Sequence, residues 1–352
     1  MDTEKLIRIE TAIKNLDEKK AKIFFLVQDT KGNPRAGVRH IYEMAYTLHK
    51  NGFSVNIIHE TKEYEGVSKW LGEEYMTLPH QTIEGQNLAI SPEDFIVVPE
   101  LYGHVMEQLK NFNCGKIVLC QAYDYMLETI PPGVSWNQFG FVKCITTSEK
   151  QKNYITQIMK TANVDVIEPF IPSCFSKKDK PSKPIIAIHT REQRDTAKII
   201  KSFYLKFPQY RWITFRDMRG IKQEDFSKFL KESFVSVWVD NESAFGTFPI
   251  ESMLCSTPVI GKIPNMKPDW LKEDNGIWTY EFNDIVDILA NFTQNWLEDN
   301  ISESLYEKIV ESGQEFNDYE KFEKEVINNF NSYFEIRSNM FSSQLEKINV
   351  TE

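Results

Sequence analysis

Short apolar runs that could be buried strands alternate with helical segments along most of this chain. The first half contains the runs AKIFFLV, FSVNIIH, DFIVVPE, KIVLCQ and VKCITTS, with helical segments between them. Such alternation is typical of βαβ units, which build a parallel sheet covered by helices. The sequence therefore predicts an α/β fold.

The alternation is interrupted once and then restarts. Residues 170–184 (FIPSCFSKKDKPSKP) hold three prolines and a lysine cluster, and this composition indicates a linker. The runs PIIAIH, YRWITF, FVSVWV, PVIG and IWTY follow, with helices expected from about Thr196, Gln223 and Pro249. The chain is thus predicted to contain two parallel sheets, one in each of two Rossmann-like doubly wound domains with a cleft between them.

The expected domain boundaries follow from this pattern. We assign 21–170 to an N-terminal Rossmann-like domain, 171–184 to the linker and 185–318 to a C-terminal Rossmann-like domain. The spacing of apolar residues in 1–20 predicts an extra helix packed on the body of the protein. The alternative is a helix that binds a membrane surface or a partner. Residues from about 283 to 339 read as helical, and 319–352 are assigned to a C-terminal helix that could cross back to the N-terminal domain.

Composition narrows the classes of partner. The formal net charge is -10, from 41 basic and 51 acidic side chains, which disfavours general binding of nucleic acid. Five cysteines without a CxxC pair indicate reduced thiols and no zinc site. No apolar run reaches the roughly 18 residues of a membrane span, so a cytoplasmic protein is expected. The linker lysines (Lys177, Lys178, Lys180 and Lys183) could give weak peripheral contact with an anionic membrane face.

The segment DNESAFGTFPIESMLCSTPVIG, from Asp240 to Gly261, is the most informative stretch. Acidic residues precede Phe245-Gly246, and a helix is expected from Pro249, since proline fits the first helical position. Glu251 would then fall in the first turn of that helix. A carboxylate there could serve only to stabilise the helix N-terminus.

The whole segment resembles the donor-site motif of the retaining GT-B glycosyltransferase family often called GT4 (glycosyl transferases group 1). That motif has an acid, Gly-Phe-Gly, then Glu-Ala-Met and Gly-x-Pro-Val-Ile. Phe245-Gly246, Glu251-Ser252-Met253 and Thr257-Pro258-Val259-Ile260 match it in order.

The resemblance implies roles for several residues of this segment. Glu251 would hold the nucleotide ribose, and Glu242 would lie near the donor sugar. Eight residues separate these glutamates where the family has seven, so that Ser243 takes the acid position when Phe-Gly is aligned. Either one residue is inserted and Glu242 still reaches the sugar, or the acid is lost. The donor-binding residues implied here are Ser243, Phe245, Gly246, Thr247 and Glu251.

Two further segments carry the resemblance. RAGVRHIYEMAYTLHKNGFSVNII is similar to the family's first glycine loop and helix, so Gly37 would let backbone N–H groups approach the donor phosphates or the acceptor. PIIAIHTREQRDTAKIIKSF is similar to the segment whose arginine and lysine bind the diphosphate. Arg191 takes the arginine position and Arg194 the lysine position, with Lys198 in reserve. Such cations stabilise the charge of the leaving nucleoside diphosphate.

The family implies a glycosyltransferase with the GT-B fold that moves a sugar from a nucleotide sugar to an acceptor, expected to be a glycan, as in polysaccharide biosynthesis. The N-terminal domain would hold the acceptor and the C-terminal domain the donor. Transfer would retain the anomeric configuration, without a cofactor or metal, and Glu242, Arg191 and Arg194 would be the catalytic residues. Two alternatives stay open: a sugar-nucleotide epimerase on the same fold, and a degenerate GT-B protein that binds a sugar nucleotide or glycan without catalysis.

Overall fold

The computed structural model describes residues 3–85, 88–159, 163–176 and 183–350. The strands in these residues are β1 (Lys22–Leu26), β2 (Ser54–His59), β3 (His80–Thr82), β4 (Phe95–Pro99), β5 (Gly115–Cys120), β6 (Lys143–Thr146), β7 (Asn163–Val166), β8 (Lys183–Thr190), β9 (Thr214–Asp217), β10 (Ser233–Val239), β11 (Val259–Lys262) and β12 (Ile277–Thr279).

The α-helices of the described residues lie between these strands or follow the last of them. They are α1 (Thr3–Asp17), α2 (Ala36–Lys50), α3 (Gly103–Gln108), α4 (Tyr123–Glu128), α5 (Glu149–Met159), α6 (Gln193–Lys206), α7 (Gln223–Glu232), α8 (Thr247–Leu254), α9 (Ile285–Leu297), α10 (Glu303–Gln314) and α11 (Tyr319–Val350).

The first sheet is parallel and has the order β3-β2-β1-β4-β5-β6-β7. Its inner strands are apolar because both faces are covered: Phe25 of β1 is fully buried, and so are Val98 of β4 and Val118 of β5. β1 pairs with β2 on one side and with β4 on the other. The direction of strand succession therefore reverses between β1 and β4.

The second sheet is also parallel, with the order β12-β11-β10-β8-β9. β10 is buried along its whole length between β8 and β11. Strand succession reverses between β8 and β10, because β9 lies on the other side of β8. Open α/β sheets bind ligands at the carboxyl ends of strands at such a reversal.

The chain divides into two compact units. Unit 1 comprises the described residues of Met1–Thr147, Lys152–Ile167 and Glu320–Glu352, and unit 2 those of Ser148–Gln151 and Glu168–Tyr319. Unit 1 contains the first sheet and unit 2 the second. The predicted α/β architecture with two parallel, helix-covered sheets is confirmed.

The long helix α11 is anchored on unit 1 by specific contacts. The Tyr333 hydroxyl donates to Asp165 Oδ2 at 2.7 Å, and Asn51 Nδ2 donates to Glu323 Oε1 at 2.9 Å. Phe330 and Phe334 are buried on the same helix. The helix extends to Val350, beyond the expected end near residue 339, and Phe341 is buried on this extension.

Several predicted boundaries are wrong by two to four residues. α6 begins at Gln193 and not at Thr196, and α8 begins at Thr247 and not at Pro249. α8 can start before Pro249 because the first four N–H groups of a helix need no intrahelical partner, so a proline is tolerated within that turn. The run YRWITF does not form a strand until Thr214, since the residues before it make a 3-10 turn.

Two edge strands were not predicted from the sequence. β3 (HQT) and β7 (NVDV) are short and polar, so they lack the apolar signature used to find strands. α1 ends at Asp17, three residues before the expected end at residue 20. Its Ile9 and Leu16 are buried, and Ile7 is exposed.

The remaining composition-based expectations concern cysteines, membranes and the linker. All five cysteines are free thiols, as predicted. No helix of the described residues is long and apolar enough to cross a membrane. Of the linker lysines, Lys177, Lys178 and Lys180 lie outside the described residues, and Lys183 Nζ contacts Glu232 Oε1 at 2.8 Å.

Candidate active site

The reversal between β8 and β10 brings the two most informative sequence segments together. The Arg191 N–H, directly after β8, donates to the Val239 carbonyl at the end of β10 at 2.9 Å. Helix α6 begins two residues after Arg191, and α8 begins at Thr247 after the loop that follows β10. Two helix N-termini, each with free N–H groups, thus follow the adjoining strand ends.

Arg191 is held at this position by a carboxylate. Its Nη1 lies 3.5 Å from Asp240 Oδ1, and the same oxygen accepts the Glu242 N–H at 3.1 Å. About 27% of the Arg191 side chain is exposed, so the guanidinium keeps access to solvent. An arginine in this arrangement can bind phosphate oxygens bidentately.

The other predicted phosphate-binding cations lie in the first turns of α6. Arg194 is exposed, and in the described part of the chain its side chain has no hydrogen bond or ion pair. Lys198 is exposed as well, with Nζ 3.4 Å from Asp195 Oδ1 and over the Phe282 ring at 5.7 Å. Of these two cations, Arg194 is the one that is available without breaking a contact.

The loop after β10 is pinned to the segment that follows β11. Asn265 Nδ2 donates to Glu242 Oε1 at 2.9 Å, and Lys262 Nζ donates to Asn241 Oδ1 at 2.6 Å. The Asn265 N–H also donates to the Asn241 carbonyl at 2.8 Å. Glu242 is thus half-buried and oriented towards Asn265, and Ser243 lies next to it, also half-buried.

Phe245 and Gly246 form a turn that is packed on tryptophans. The Phe245 carbonyl accepts from Trp270 Nε1 at 2.6 Å, and Gly246 has φ 75° immediately before α8. A Cβ atom at Gly246 would lie 2.8 Å from the Trp238 ring. Only glycine satisfies both the left-handed conformation and the close approach, and Thr247 then opens the helix.

Glu251 is the fifth residue of α8, and its side chain is 5% exposed. The helix has no acidic residue in its first turn. The simple explanation of Glu251 as a carboxylate on a helix N-terminus is therefore wrong, since α8 starts two residues earlier than expected. A buried carboxylate needs polar partners, and a ligand hydroxyl is one kind that would suit it.

His189 lies at the end of β8 and stacks on Phe248 of α8, with ring centroids 5.1 Å apart. Burial lowers the pKa of His189 from its ordinary 6.5 to about 4. The imidazole is therefore neutral at pH 7 and adds no charge to the site.

This shift predicts an acid-sensitive unit 2. Below pH 6.5 the unfolded imidazole binds a proton that the folded one does not bind until about pH 4, so stability falls as pH falls through this window. The contribution is up to about 1.4 kcal/mol per pH unit. Urea titrations between pH 7 and 4.5 should give a shallower pH dependence for His189→Phe than for the wild type. Parallel curves would contradict the assignment.

Gly37 belongs to unit 1, where it is the second residue of α2. Its carbonyl accepts from Gln121 Nε2 at 3.1 Å, and a Cβ atom at Gly37 would lie 2.4 Å from Gln121 Oε1. The glycine thus allows the carboxyl end of β5 to approach α2. Ala36 begins the helix and needs no unusual conformation.

A cavity of about 110 Å³ in unit 2 adjoins the Ala244–Phe245 turn. Its lining mixes carboxylates with aromatic rings and a lysine. The lining residues are Ser148, Glu168, Ala244, Phe245, Pro268, Asp269, Trp270, Lys272, Glu315 and Phe316. The turn between β10 and α8 therefore has a concave surface beside it within the same unit.

Some residues of this site were not singled out from the sequence. Asp240 received no role of its own from the sequence, because its contact with Arg191 becomes visible only when β8 and β10 pair. Asn265 and Trp270 follow β11 and carry no recognisable spacing. In the described part of the chain, no group of three or more His, Cys, Asp and Glu side chains could hold a metal ion.

Comparisons with known proteins agree with this architecture. No family model matches the chain. An alpha-1,6-glucosyltransferase of Actinobacillus pleuropneumoniae serotype 7 is 21% identical, over 82% of this chain and 89% of that protein.

Solved structures match across both units. Sucrose-phosphate synthase from Thermosynechococcus elongatus has a TM-score of 0.67 at 12% identity, covering 90% of this chain and all of that one. Anabaena HepE in complex with UDP and glucose has a TM-score of 0.65 at 11% identity, covering 89% and 100%, and TarM has 0.65 at 10%, covering 88% and 99%. These proteins are GT-B glycosyltransferases, and the chain has the GT-B fold.

Proposed function

We propose that this protein is a glycosyltransferase that takes its sugar from a UDP-sugar bound at the carboxyl edge of the second sheet. The observation that carries the proposal is Arg191 at the strand reversal of unit 2, with the N-termini of α6 and α8 following the same two strands. HepE, which shares the fold, has been solved with UDP-glucose. That likeness supports UDP as the first nucleotide to test.

The chemistry requires positive charge where the diphosphate leaves. The bond between the anomeric carbon and the diphosphate oxygen breaks, a bond to the acceptor oxygen forms, and the acceptor proton passes to the departing diphosphate. Arg191 and Arg194 would neutralise the charge that develops, with Lys198 as a further cation. The N–H groups at the start of α6 and α8 would add to this field.

The remaining donor contacts are proposed from the resemblance of the β10–α8 segment to the donor-site motif. Glu251 would accept hydrogen bonds from the ribose hydroxyls, and Glu242 would orient the sugar. Gly246 and Thr247 would offer backbone N–H groups, and Ser243 and Phe245 would border the sugar. Gly37, in unit 1, is proposed to offer backbone N–H groups to the donor phosphates or the acceptor.

Retention and metal independence are part of the proposal. UDP-glucose carries an α-linked sugar, and the related alpha-1,6-glucosyltransferase is named for an α product, which supports retention. The cations at the strand reversal could take the place of a metal at the diphosphate. We propose a hydroxyl of a glycan as the acceptor.

A second candidate is a protein that binds a sugar nucleotide without turnover. It is favoured by one observation: the Glu242 carboxylate already accepts from Asn265, while Ser243 occupies the usual position of the acid. Detection of transfer from UDP-glucose would exclude this candidate. Binding of UDP-glucose without transfer to any glycan or hydrolysis would favour it.

A thermal-shift panel of UDP, GDP, ADP, CMP and dTDP tests the donor site. Ligand at about 100 times its Kd adds roughly 2.7 kcal/mol of stability, so one nucleotide should raise the melting temperature clearly. Glu251→Gln keeps the volume of this buried side chain and should reduce the shift, and Glu251→Ala should abolish it. Glu273→Ala, at an exposed glutamate of the same unit, is the matched control.

No shift with any nucleotide would overturn the donor assignment.

Retention and metal independence have their own tests. An NMR spectrum of the product formed from UDP-glucose would report the anomeric configuration, and addition of EDTA should leave the rate of transfer unchanged. A β product or a loss of activity with EDTA would refute retention or metal independence, respectively.

A further inference from the structure

A second group of polar side chains lies at the carboxyl edge of the first sheet, in unit 1. Tyr42 on α2, His59 at the end of β2 and Tyr102 after β4 are all at least 97% buried. Their polar atoms nevertheless lack hydrogen bonds: within the described ranges no partner meets the Tyr42 hydroxyl, the Tyr102 hydroxyl or His59 Nδ1. Buried polar groups are rarely left unpaired, so we expect a polar partner from outside the protein to satisfy these atoms.

An aromatic stack flanks these atoms. The Tyr64 ring lies parallel to His59, with centroids 3.8 Å apart, and His80 continues the stack at 5.1 Å from His59. His59 Nε2 and His80 Nδ1 share a hydrogen bond of 2.8 Å, and within the described residues the other ring nitrogen of each, His59 Nδ1 and His80 Nε2, has no hydrogen-bond partner. We name Tyr42, His59, Tyr64, His80 and Tyr102 the tyrosine–histidine cluster.

The charges around the cluster are negative. Asp29, on the loop after β1, acts electrostatically on Tyr42, His59 and Tyr102. Burial raises the pKa of the Tyr102 hydroxyl, and the nearby Glu60 carboxylate raises it further. Burial lowers the pKa of His59 to about 4, so this ring carries no positive charge at pH 7. Phosphate and other anions would be repelled here.

The chemistry of the cluster fits an uncharged ligand with many hydroxyl groups. Each phenol can donate and accept a hydrogen bond, and Asp29 can accept one. Tyr64 is half-buried and offers an aromatic ring, a surface that suits the C–H groups of a sugar. A metal ion is not supported, because the described residues contain no group of three or more His, Cys, Asp and Glu that could hold one.

We propose that the tyrosine–histidine cluster is a binding site for a neutral sugar ring. Its use as the acceptor site rests on the proposed transferase function, while sugar binding itself does not. The site differs in chemistry from the strand reversal of unit 2, where Arg191 and Arg194 are proposed to bind the diphosphate. The chain would thus hold a charged ligand in one unit and an uncharged one in the other.

Saturation-transfer NMR on the full chain tests the site, with methyl α-D-glucopyranoside and isomaltose as probes and glucose 6-phosphate as the anionic comparison. We expect both neutral sugars to bind and the phosphate ester to bind more weakly. Tyr42→Phe and Tyr102→Phe should each weaken the binding of neutral sugars about tenfold, the effect of one lost hydrogen bond. Tyr46→Phe, one turn further along α2, is the matched control and should have no effect.

Melting temperature separates a ligand site from a structural role. Tyr42→Phe removes a hydroxyl that is unpaired in the free protein, so the melting temperature should stay the same or rise. A clear fall would mean that a structural water satisfies the hydroxyl and would overturn the proposal. So would unchanged sugar affinity in both variants, or no binding of either neutral sugar by the wild type.

The outcomes also separate this site from the donor site. Glu251→Ala should lose nucleotide binding and keep the binding of neutral sugars. If nucleotides fail to bind while Tyr42→Phe still weakens sugar binding, the sugar site stands and the proposed transferase function fails. If sugar binding is lost in Glu251→Ala and kept in Tyr42→Phe, the sugar occupies unit 2 and the inference is wrong.

Discussion

Arg191→Met should lower the rate of sugar transfer by about 100- to 1,000-fold, the usual cost of removing one fixed group that stabilises developing charge. The guanidinium lies at the reversal between β8 and β10, where the diphosphate is proposed to leave. Affinity for UDP should fall by about tenfold or more, since a charge-assisted hydrogen bond contributes roughly 1.5–3 kcal/mol. Initial rates with UDP-glucose and calorimetric titration with UDP would measure the two effects.

Two control variants make this prediction specific. Arg211→Met removes an exposed arginine that precedes β9 in the same unit, and it should leave both quantities unchanged. Arg191→Lys keeps the charge but loses the bidentate geometry, so it should fall between the wild type and Arg191→Met. Equal rates for Arg191→Met and Arg211→Met would refute the role of Arg191.

The contact between Arg191 and Asp240 allows a further discrimination. Arg191→Met leaves the Asp240 carboxylate uncompensated, and this carboxylate could itself repel the diphosphate. The double variant Arg191→Met/Asp240→Asn removes that repulsion. If Arg191 binds phosphate, the double variant should stay defective. Recovery of UDP affinity would mean that Arg191 serves mainly to neutralise Asp240.

Gly246→Ala should destabilise unit 2 by about 3 kcal/mol. A left-handed backbone costs a residue with a Cβ atom roughly 1–2 kcal/mol, and overpacking of a filled core typically costs about 1–3 kcal/mol more. Both apply, because Gly246 has φ 75° and the new atom would lie 2.8 Å from the buried Trp238 ring. Urea denaturation followed by tryptophan fluorescence would measure the loss.

Gly220→Ala is the matched control for this substitution. Gly220 has φ 71° in the same unit, and a Cβ atom at this position would have no neighbour within 4 Å. It should show the backbone cost alone, about 1–2 kcal/mol. If both variants lose the same stability, the approach of Trp238 is not tight and the turn before α8 tolerates a side chain.

The sequence alone was sufficient to predict two parallel sheets, although it missed the short polar edge strands β3 and β7 of the first. Strands such as β4 and β10 are buried on both faces, and therefore appear as continuous apolar runs. Ser148 is of a residue type favoured at helix N-termini, and its Oγ accepts the Gln151 N–H at the start of α5 at 3.2 Å. These features depend on residues close together in the chain, whose spacing the sequence displays directly.

The resemblance to a donor-site motif marked the segment from Asp240 to Gly261 as the centre of a site and singled out Gly246, Arg191 and Arg194. The reason for glycine at position 246 became visible only in the folded turn. The roles of these residues towards a donor stay predictions, to be tested as described above.

Contacts between distant parts of the chain were decided only by the tertiary structure. Asp240 meets Arg191 because β8 and β10 pair across 49 residues of sequence, and no spacing rule predicts that contact. Tyr42, His59 and Tyr102 lie at one corner because β2 and β4 end there and α2 packs against β2, although each looks like an ordinary core residue in the sequence. Burial without a partner is a property of the folded chain, and it is the observation on which the proposed sugar site rests.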